Sequence, residues 1–330
     1  MKLLCYGVRR VERPFFEDLN ARFNFDLVLT ESMLNDETVH LAKGCDAVML
    51  RGGCPGSRQN LQIYKDYGVQ YVLTRTVGYN HIDLDAAKDL GLKVAYVPFY
   101  SPNAIAELAL TFAMTLSRHV QYMGDKGKDG NLIIDEFMFS KEVRKSTVGI
   151  IGLGKIGFTA AQLFHGIGAN VIGYDIVKKD YLGDVCTQVD LDTLLKESDI
   201  ISMHMPYFKG SNDEFLNAEK IEKMKEGVIL INTSRGELQK VEDILSYVES
   251  GKIQGYATDV LANETQYFNK LTRPEDFDVL LTRIQSLYPR VLVTPHIGSY
   301  TDEAVSNMVE YSYENLQEFI DTGKSKNQLV

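Results

Sequence analysis

A chain of 330 residues with 45% hydrophobic content is long enough for two sizeable cores and is no small stapled scaffold. Its 35 Lys and Arg against 45 Asp and Glu leave a net charge of −10, which opposes nonspecific binding to nucleic acid or an anionic membrane, so an anionic substrate has to meet a local positive site. Cys5, Cys45, Cys54 and Cys186 show no metal-ligand spacing, no charged start precedes an apolar leader, and no apolar run approaches a membrane span; a reduced, cytoplasmic protein without a bound metal is expected.

Along the chain, short β-type runs at 2–6, 26–29, 46–51, 71–74 and 94–97 alternate with helical segments. That rhythm predicts parallel crossovers, and therefore a separate α/β sheet in the first hundred residues. Ser101 before Pro102 is a helix start, a capping hydroxyl followed by proline at the first helical position, and the apolar run through Leu116 predicts a long helix linking two domains. This helix is apolar nearly all round, from Ala104 and Ile105 to Met114 and Leu116, which exceeds what one core face requires and suggests a subunit interface.

From Thr147 the chain reads as a buried strand, then Gly152, Gly154 and Gly157 in G-x-G-x-x-G spacing, then a helix whose apolar face carries Ile156, Ala160, Leu163 and Phe164. The first glycine permits a tight turn, the second lets the backbone approach a pyrophosphate, and the third lets helix and strand pack closely. Free amides at the helix start meet the phosphate charge, so a dinucleotide is the expected ligand. The next strand, 170–175, ends in Asp175, whose carboxylate would accept from the ribose hydroxyls and repel a 2′-phosphate; NAD is favoured over NADP.

Further strands are predicted at 199–204, 228–232, 254–259 and 291–294, each turning polar at its end. In doubly wound sheets the ligand crevice lies beyond the carboxyl ends of the strands, and two sheets are expected to bound one cleft. Three residues in these end segments stand out: Arg235, Glu264 and His296. A guanidinium grips a carboxylate with two prongs and polarises the neighbouring carbonyl. His296 can give the proton, Glu264 can hold the other imidazole nitrogen and favour the protonated ring, and a nicotinamide supplies hydride. Singly, each has a duller explanation: a surface ion pair, a turn cap, a satisfied histidine. Combined with the glycine motif, they point to carbonyl reduction. The tail at 322–327, with its lysines, reads as a solvated end.

In this order of motifs the chain resembles the NAD-dependent D-2-hydroxyacid dehydrogenases over nearly its whole length. The likeness is carried by the glycine motif ending at Gly157, by His204, Met205 and Pro206, by Asn232 through Gly236, by Glu264, and by Pro295 with His296. Arg75 through Gly78 and Tyr100 through Glu107 follow the family order earlier in the chain. The resemblance implies that Arg235, Glu264 and His296 are the catalytic set. It implies that Lys155, Ile156, Asp175, His204, Met205, Pro206, Asn212, Thr233, Ser234 and Asp259 join the three glycines in the NAD site, while Val77, Gly78 and Tyr100 border the substrate. It also implies two doubly wound parallel-sheet α/β domains, a Rossmann cofactor domain (101–299) inserted into a flavodoxin-like substrate domain (1–100 and 300–330), and subunits paired as a homodimer. The chain departs from the family at Glu237 through Lys240, where a hydrophobic pair and an aspartate are common, and at Ala262, which replaces a commonly acidic residue. Both changes touch loops rather than the three central groups.

For the substrate, Arg51 is the informative position, because it ends a strand and precedes Gly52 and Gly53. A cation there could meet a second carboxylate, and Leu50, Arg51, Gly52 and Cys54 look like the branch acting on 2-oxoglutarate and 2-hydroxyglutarate. The alternative is a D-lactate, D-2-hydroxyisocaproate or phenyllactate enzyme in which Tyr100 and Tyr300 shape a mainly apolar pocket. A reading from a different class, an NAD-sensing scaffold, is opposed by the complete trio and by the lack of a disordered or basic recruitment tail.

Overall fold

Short runs of Val, Leu, Ile and Met between polar turns are what parallel strands covered on both faces require. The computed structural model describes all 330 residues and forms two compact units, Met1–Ser101 with Ser299–Val330, and Pro102–Gly298.

The first unit carries β1 (Lys2–Cys5), β2 (Asp26–Leu29), β3 (Ala47–Leu50), β4 (Tyr71–Thr74) and β5 (Lys93–Ala95), all paired in parallel in the order β2-β1-β3-β4-β5. This is the flavodoxin-like order, and it reverses between β1 and β3. Ser57 and Asp83 start the helices Arg58–Asp66 and Leu84–Asp89 by accepting from the N–H groups of Asn60 and Ala86. The last helix, Asp302–Thr322, is capped by Thr301 and docks through buried Tyr313, whose ring meets Phe16, Phe23 and Phe25 edge-on.

The segment after that helix is not the solvated end its lysines suggest. Gly323, at φ +77°, ends the helix, and the Ser325 hydroxyl and Asn327 amide both donate to Asn315 Oδ1, at 2.9 and 2.8 Å. The Leu329 N–H then donates to Val94 O at 2.7 Å and the Tyr96 N–H to Asn327 O at 3.2 Å, so the tail lies along β5. An edge strand offers unpaired backbone groups, and pairing with them is indifferent to side-chain polarity.

The second unit carries β6 (Thr147–Ile151), β7 (Asn170–Tyr174), β8 (Thr187–Gln188), β9 (Ile200–Met203), β10 (Val228–Asn232), β11 (Ile253–Thr258) and β12 (Val291–Val293). Their parallel order is β12-β11-β10-β9-β6-β7-β8, a Rossmann sheet with one strand added, reversing between β6 and β9. Two apolar clusters cover it: Val228 and Leu230 enter one, Ile229 and Ile231 the other, as strand alternation demands. β8 has two residues, too short to show a period, and escapes sequence reading.

The helix Pro102–Ser117 buries Ala106, Ala109, Phe112, Ala113 and Leu116 within this unit, and Leu108, Leu110 and Met114 are half-buried against the same cluster. A Cβ on Gly255 of β11 would lie 3.0 Å from Leu116 Cδ2, which shows how closely helix and sheet approach. Much of the helix's apolar character is thus covered inside the unit, and Leu108, Leu110 and Met114 keep part of their surface exposed. No helix is long and apolar enough to cross a membrane.

Candidate active site

At the reversal point of the larger sheet, β6 is followed by Gly152 at φ +92°, whose N–H donates to Tyr174 O at 2.8 Å. A Cβ there would sit 2.8 Å from the His204 backbone, and one on Gly157 would sit 1.8 Å from Gly152 O, so turn, helix and the loop after β9 close on one another only because both residues are glycine. A Cβ on Gly154 would meet nothing within 4 Å. This open side faces no protein, and Gly154 caps the helix Lys155–Gly166 without a side-chain bond, leaving amides for an anion.

Asp175 follows β7. Its carboxylate accepts from the Leu153 and Val177 N–H groups, each at 2.9 Å, and pairs with Lys179 at 3.4 Å. Partial burial pushes this carboxyl up, but the amides and the ammonium outweigh it and hold it below the usual carboxylate range. The fit to a dinucleotide is therefore physical: an open glycine edge for pyrophosphate and an ionised acid at the next strand end for ribose.

His204, Met205 and Pro206 follow β9. The His204 ring bonds Ser202 Oγ through Nε2 at 2.9 Å, and burial lowers its pKa to about 4, so the ring under the glycine turn is neutral. Asn212 braces the next loop, its amide donating to Pro206 O at 2.8 Å and its oxygen accepting from the Phe208 N–H at 2.7 Å.

The loops after β10, β11 and β12 carry Arg235, Glu264 and His296, on three adjacent strands of the sheet. Asn232, 1% exposed, organises the first: its oxygen accepts from the Ser234 N–H and hydroxyl, and its amide donates to Arg235 O at 2.9 Å. Thr233 and Ser234 are thereby held in a tight bend, and Gly236 packs so closely that a Cβ would meet Leu261 C at 2.0 Å. Asp259, 1% exposed, binds the other two loops together by accepting from the Thr294 hydroxyl, the Ile297 N–H at 2.8 Å and the Gly298 N–H at 2.7 Å. Burial raises its pKa against the pull of those donors. His296 itself stands at φ +54°, a conformation sustained by that surrounding bonding. Its Nδ1 meets both oxygens of Glu264, at 3.0 and 2.9 Å, so Nε2 is the ring nitrogen that Glu264 does not engage.

The remaining candidates lie in the first unit. Arg51 follows β3. Val77 and Gly78 follow β4, in a bend where the Thr76 hydroxyl donates to Gly78 O at 2.7 Å. Tyr100 accepts from Asn307 through its backbone oxygen at 2.7 Å, and Tyr300 lies 4.3 Å beneath the Arg9 guanidinium. Sequence reasoning singled out neither Lys179, Asn232 as a loop organiser, nor Arg9 with Glu12. Asn232 acts on the backbone of its own loop, which leaves no side-chain pattern; the Arg and Glu near the first strand were visible as charges without a partner to identify them.

The model for the D-isomer specific 2-hydroxyacid dehydrogenase NAD-binding domain matches residues 110–298. An aromatic 2-oxoacid reductase of Clostridium sporogenes is 39% identical over 332 residues, covering 100% of this chain and 99% of that protein. A D-lactate dehydrogenase of Lactiplantibacillus plantarum is 37% identical over 337 residues, with coverage of 100% and 99%. Among solved structures, the NAD-complexed D-isomer specific 2-hydroxyacid dehydrogenase of Lactobacillus delbrueckii ssp. bulgaricus superposes with a TM-score of 0.86 at 32% identity, covering 100% of both chains. With a dinucleotide-binding turn, a Rossmann sheet and full-length likeness to such enzymes, the chain belongs to the NAD-dependent D-2-hydroxyacid dehydrogenases.

Proposed function

We propose that this dehydrogenase interconverts 2-oxoglutarate and (R)-2-hydroxyglutarate, with Arg235, Glu264 and His296 as its catalytic set. The observation that carries the substrate is Arg51. Its guanidinium is mostly buried and forms no ion pair, and burial together with neighbouring Arg9 and Arg75 lowers its pKa to about 10, still far above neutrality. A permanent, partnerless cation at a strand end is suited to a second carboxylate.

In reduction, Arg235 holds the C1 carboxylate and polarises the 2-oxo group, oriented by the Asn232 bend. When bound, NADH supplies the hydride that attacks the carbonyl carbon. His296 Nε2 delivers the proton to the carbonyl oxygen as charge develops there, and Glu264 keeps the ring in register from Nδ1. Gly152, Gly154, Gly157, Lys155 and Ile156 would hold the pyrophosphate, Asp175 the ribose, and Met205, Pro206, Asn212, Thr233, Ser234 and Asp259 the rest of the coenzyme site, with His204 as its neutral floor. Val77, Gly78, Tyr100 and Tyr300 are the uncharged substrate neighbours in this reading.

A second reading, an aromatic or short monocarboxylic 2-oxo acid, is favoured by the names of the relatives at 39% and 37% identity. Comparing kcat/KM for 2-oxoglutarate, pyruvate and phenylpyruvate in wild type and Arg51→Ala separates the two. The dicarboxylate should lead in wild type and fall roughly tenfold to a hundredfold in the variant, the worth of a charged hydrogen bond, while pyruvate changes little. A ranking led by phenylpyruvate or pyruvate and indifferent to Arg51→Ala selects the second reading.

The same proposal makes the enzyme a homodimer in the cytoplasm. Leu132, Ile133 and Ile134 are 83%, 74% and 86% exposed and Phe139 is 89% exposed, an apolar run that a partner subunit would cover. Four unpaired, buried thiols suit a reducing compartment.

A further inference from the structure

The smaller sheet has its own reversal point, between β1 and β3, and ligands of open α/β sheets bind beyond the strand ends at such points. Gly7 follows β1 there and Arg51 follows β3. A Cβ on Gly7 would lie 3.3 Å from Arg51 Cδ, so the Arg51 stem runs across this glycine, at φ +64°. Two residues on, Arg9 brings a second guanidinium to the same spot, stacked 4.3 Å over the Tyr300 ring.

Charge does not balance around these groups. Glu12, 2% exposed, is the single carboxylate among them: its Oε2 accepts from Arg75 Nη2 at 3.2 Å and from the Arg9 N–H at 2.8 Å. Arg75 is committed, since its Nη2 also donates to Gly7 O at 2.8 Å and its side chain is 2% exposed. Arg9 Nη1 reaches only to 3.6 Å from Glu12 Oε1 and, though shielded from solvent, has no hydrogen-bond partner. Three cations, Arg9, Arg51 and Arg75, thus face one anion, an excess of two positive charges. A shielded donor left unmade is costly, and a desolvated cation without a counter-charge more so. Both costs are relieved by one ligand, an incoming carboxylate.

We propose that Arg9 is a second specificity-determining contact, which together with Arg51 grips the distal carboxylate of the substrate, with the Glu12–Arg75 pair fixing the backbone from which Arg9 projects. The inference rests on the dicarboxylate reading above and names a residue that reading does not use. Tyr300 has a defined part in it: its ring holds the Arg9 guanidinium flat, so that the donor fork is presented without first being ordered.

The test compares 2-oxoglutarate with 2-oxopentanoate, the same five-carbon chain ending in a methyl group, using wild type, Arg9→Gln, Arg9→Lys and Arg51→Gln. The ratio of the two kcat/KM values is the readout. In Arg9→Gln it should fall roughly tenfold to a hundredfold, chiefly through KM for 2-oxoglutarate, while 2-oxopentanoate turnover stays close to wild type. Arg9→Lys, which keeps the charge and loses the fork, should fall between. An equal loss on both substrates, or no loss on either, overturns the proposal. If the preference collapses in Arg51→Gln but survives in Arg9→Gln, the dicarboxylate reading stands and this inference falls. A wild-type enzyme without preference for 2-oxoglutarate removes both. Should Arg9→Gln fail to fold, Arg9→Lys decides on the same ratio, an unchanged value counting against the proposal.

Discussion

Lys179 changes what Asp175 means. A carboxylate at that strand end repels a 2′-phosphate, yet an ammonium 3.4 Å away is the group such a phosphate would seek. In the coenzyme site proposed above, choice is then a balance between neighbours rather than the property of one acid. Asp175→Ser removes the repulsion and releases Lys179, and the ratio of kcat/KM with NADPH to that with NADH should rise by about tenfold or more, the scale of one charge-assisted contact. Adding Lys179→Ala should cancel most of that gain; a double variant that keeps it would show that the lysine takes no part. At this scale the sequence was legible where one conspicuous side chain bonds another. Arg235, Glu264 and His296 are charged or ionisable residues at the ends of apolar strands, a place where such types are conspicuous, and the His296 bond to both Glu264 oxygens is the pairing their chemistry suggests. Asn232 and Asp259 were harder to read, because they serve backbone amides of loops whose course only the fold determines.

Strands and helices were legible in proportion to their apolar regularity. β3, β4, β9 and β10 are buried at every residue and stand out as Val, Leu, Ile and Met runs, whereas β8 has two residues and no pattern. The C-terminal segment was misread for a related reason: its side chains are polar, but its stabilisation is backbone pairing on β5. Val94 and Tyr96 donate to Val330 O and Asn327 O, at 3.3 and 3.2 Å, Leu329 donates to Val94 O at 2.7 Å, and Asn327 is 9% exposed. Leu329 and Val330 also pack against the core cluster of that unit. Deleting residues 326–330 should therefore lower unfolding free energy by at least about 3 kcal/mol, about 1 kcal/mol for each of the three hydrogen bonds lost on β5, and reopen a sheet edge. Urea unfolding of the truncated chain checks this, and an unchanged midpoint would mean that the pairing contributes nothing to stability.

At the scale of the molecule, alternation of strand and helix was enough to anticipate two parallel sheets, but not their strand orders, which depend on which apolar faces meet. Each unit also encloses an imidazole, and this gives the protein a common acid sensitivity. His81 in the first unit sits beside Thr74 Oγ1 at 3.2 Å, and His204 in the second beside Ser202 Oγ at 2.9 Å; burial pushes both down to about 4. The unfolded chain has ordinary imidazoles, near 6.5, so on acidification it takes up protons before the native state does. Stability from this source is complete above about pH 6.5, declines as pH falls, and is fully lost once pH passes below the native value near 4. Carboxylates held below their usual range, Asp175 and Asp199, act lower: their contribution is present above about pH 4 and lost only as pH drops further. The two windows are separable. Between pH 6.5 and 4.5 the unfolding free energy should decline by about 1 kcal/mol for each histidine once solvent screening is allowed for, and His81→Gln with His204→Gln should flatten that limb while leaving the steeper loss below pH 4 in place. If the double variant retains the full wild-type slope between pH 6.5 and 4.5, the neutral imidazoles are not the groups that set it.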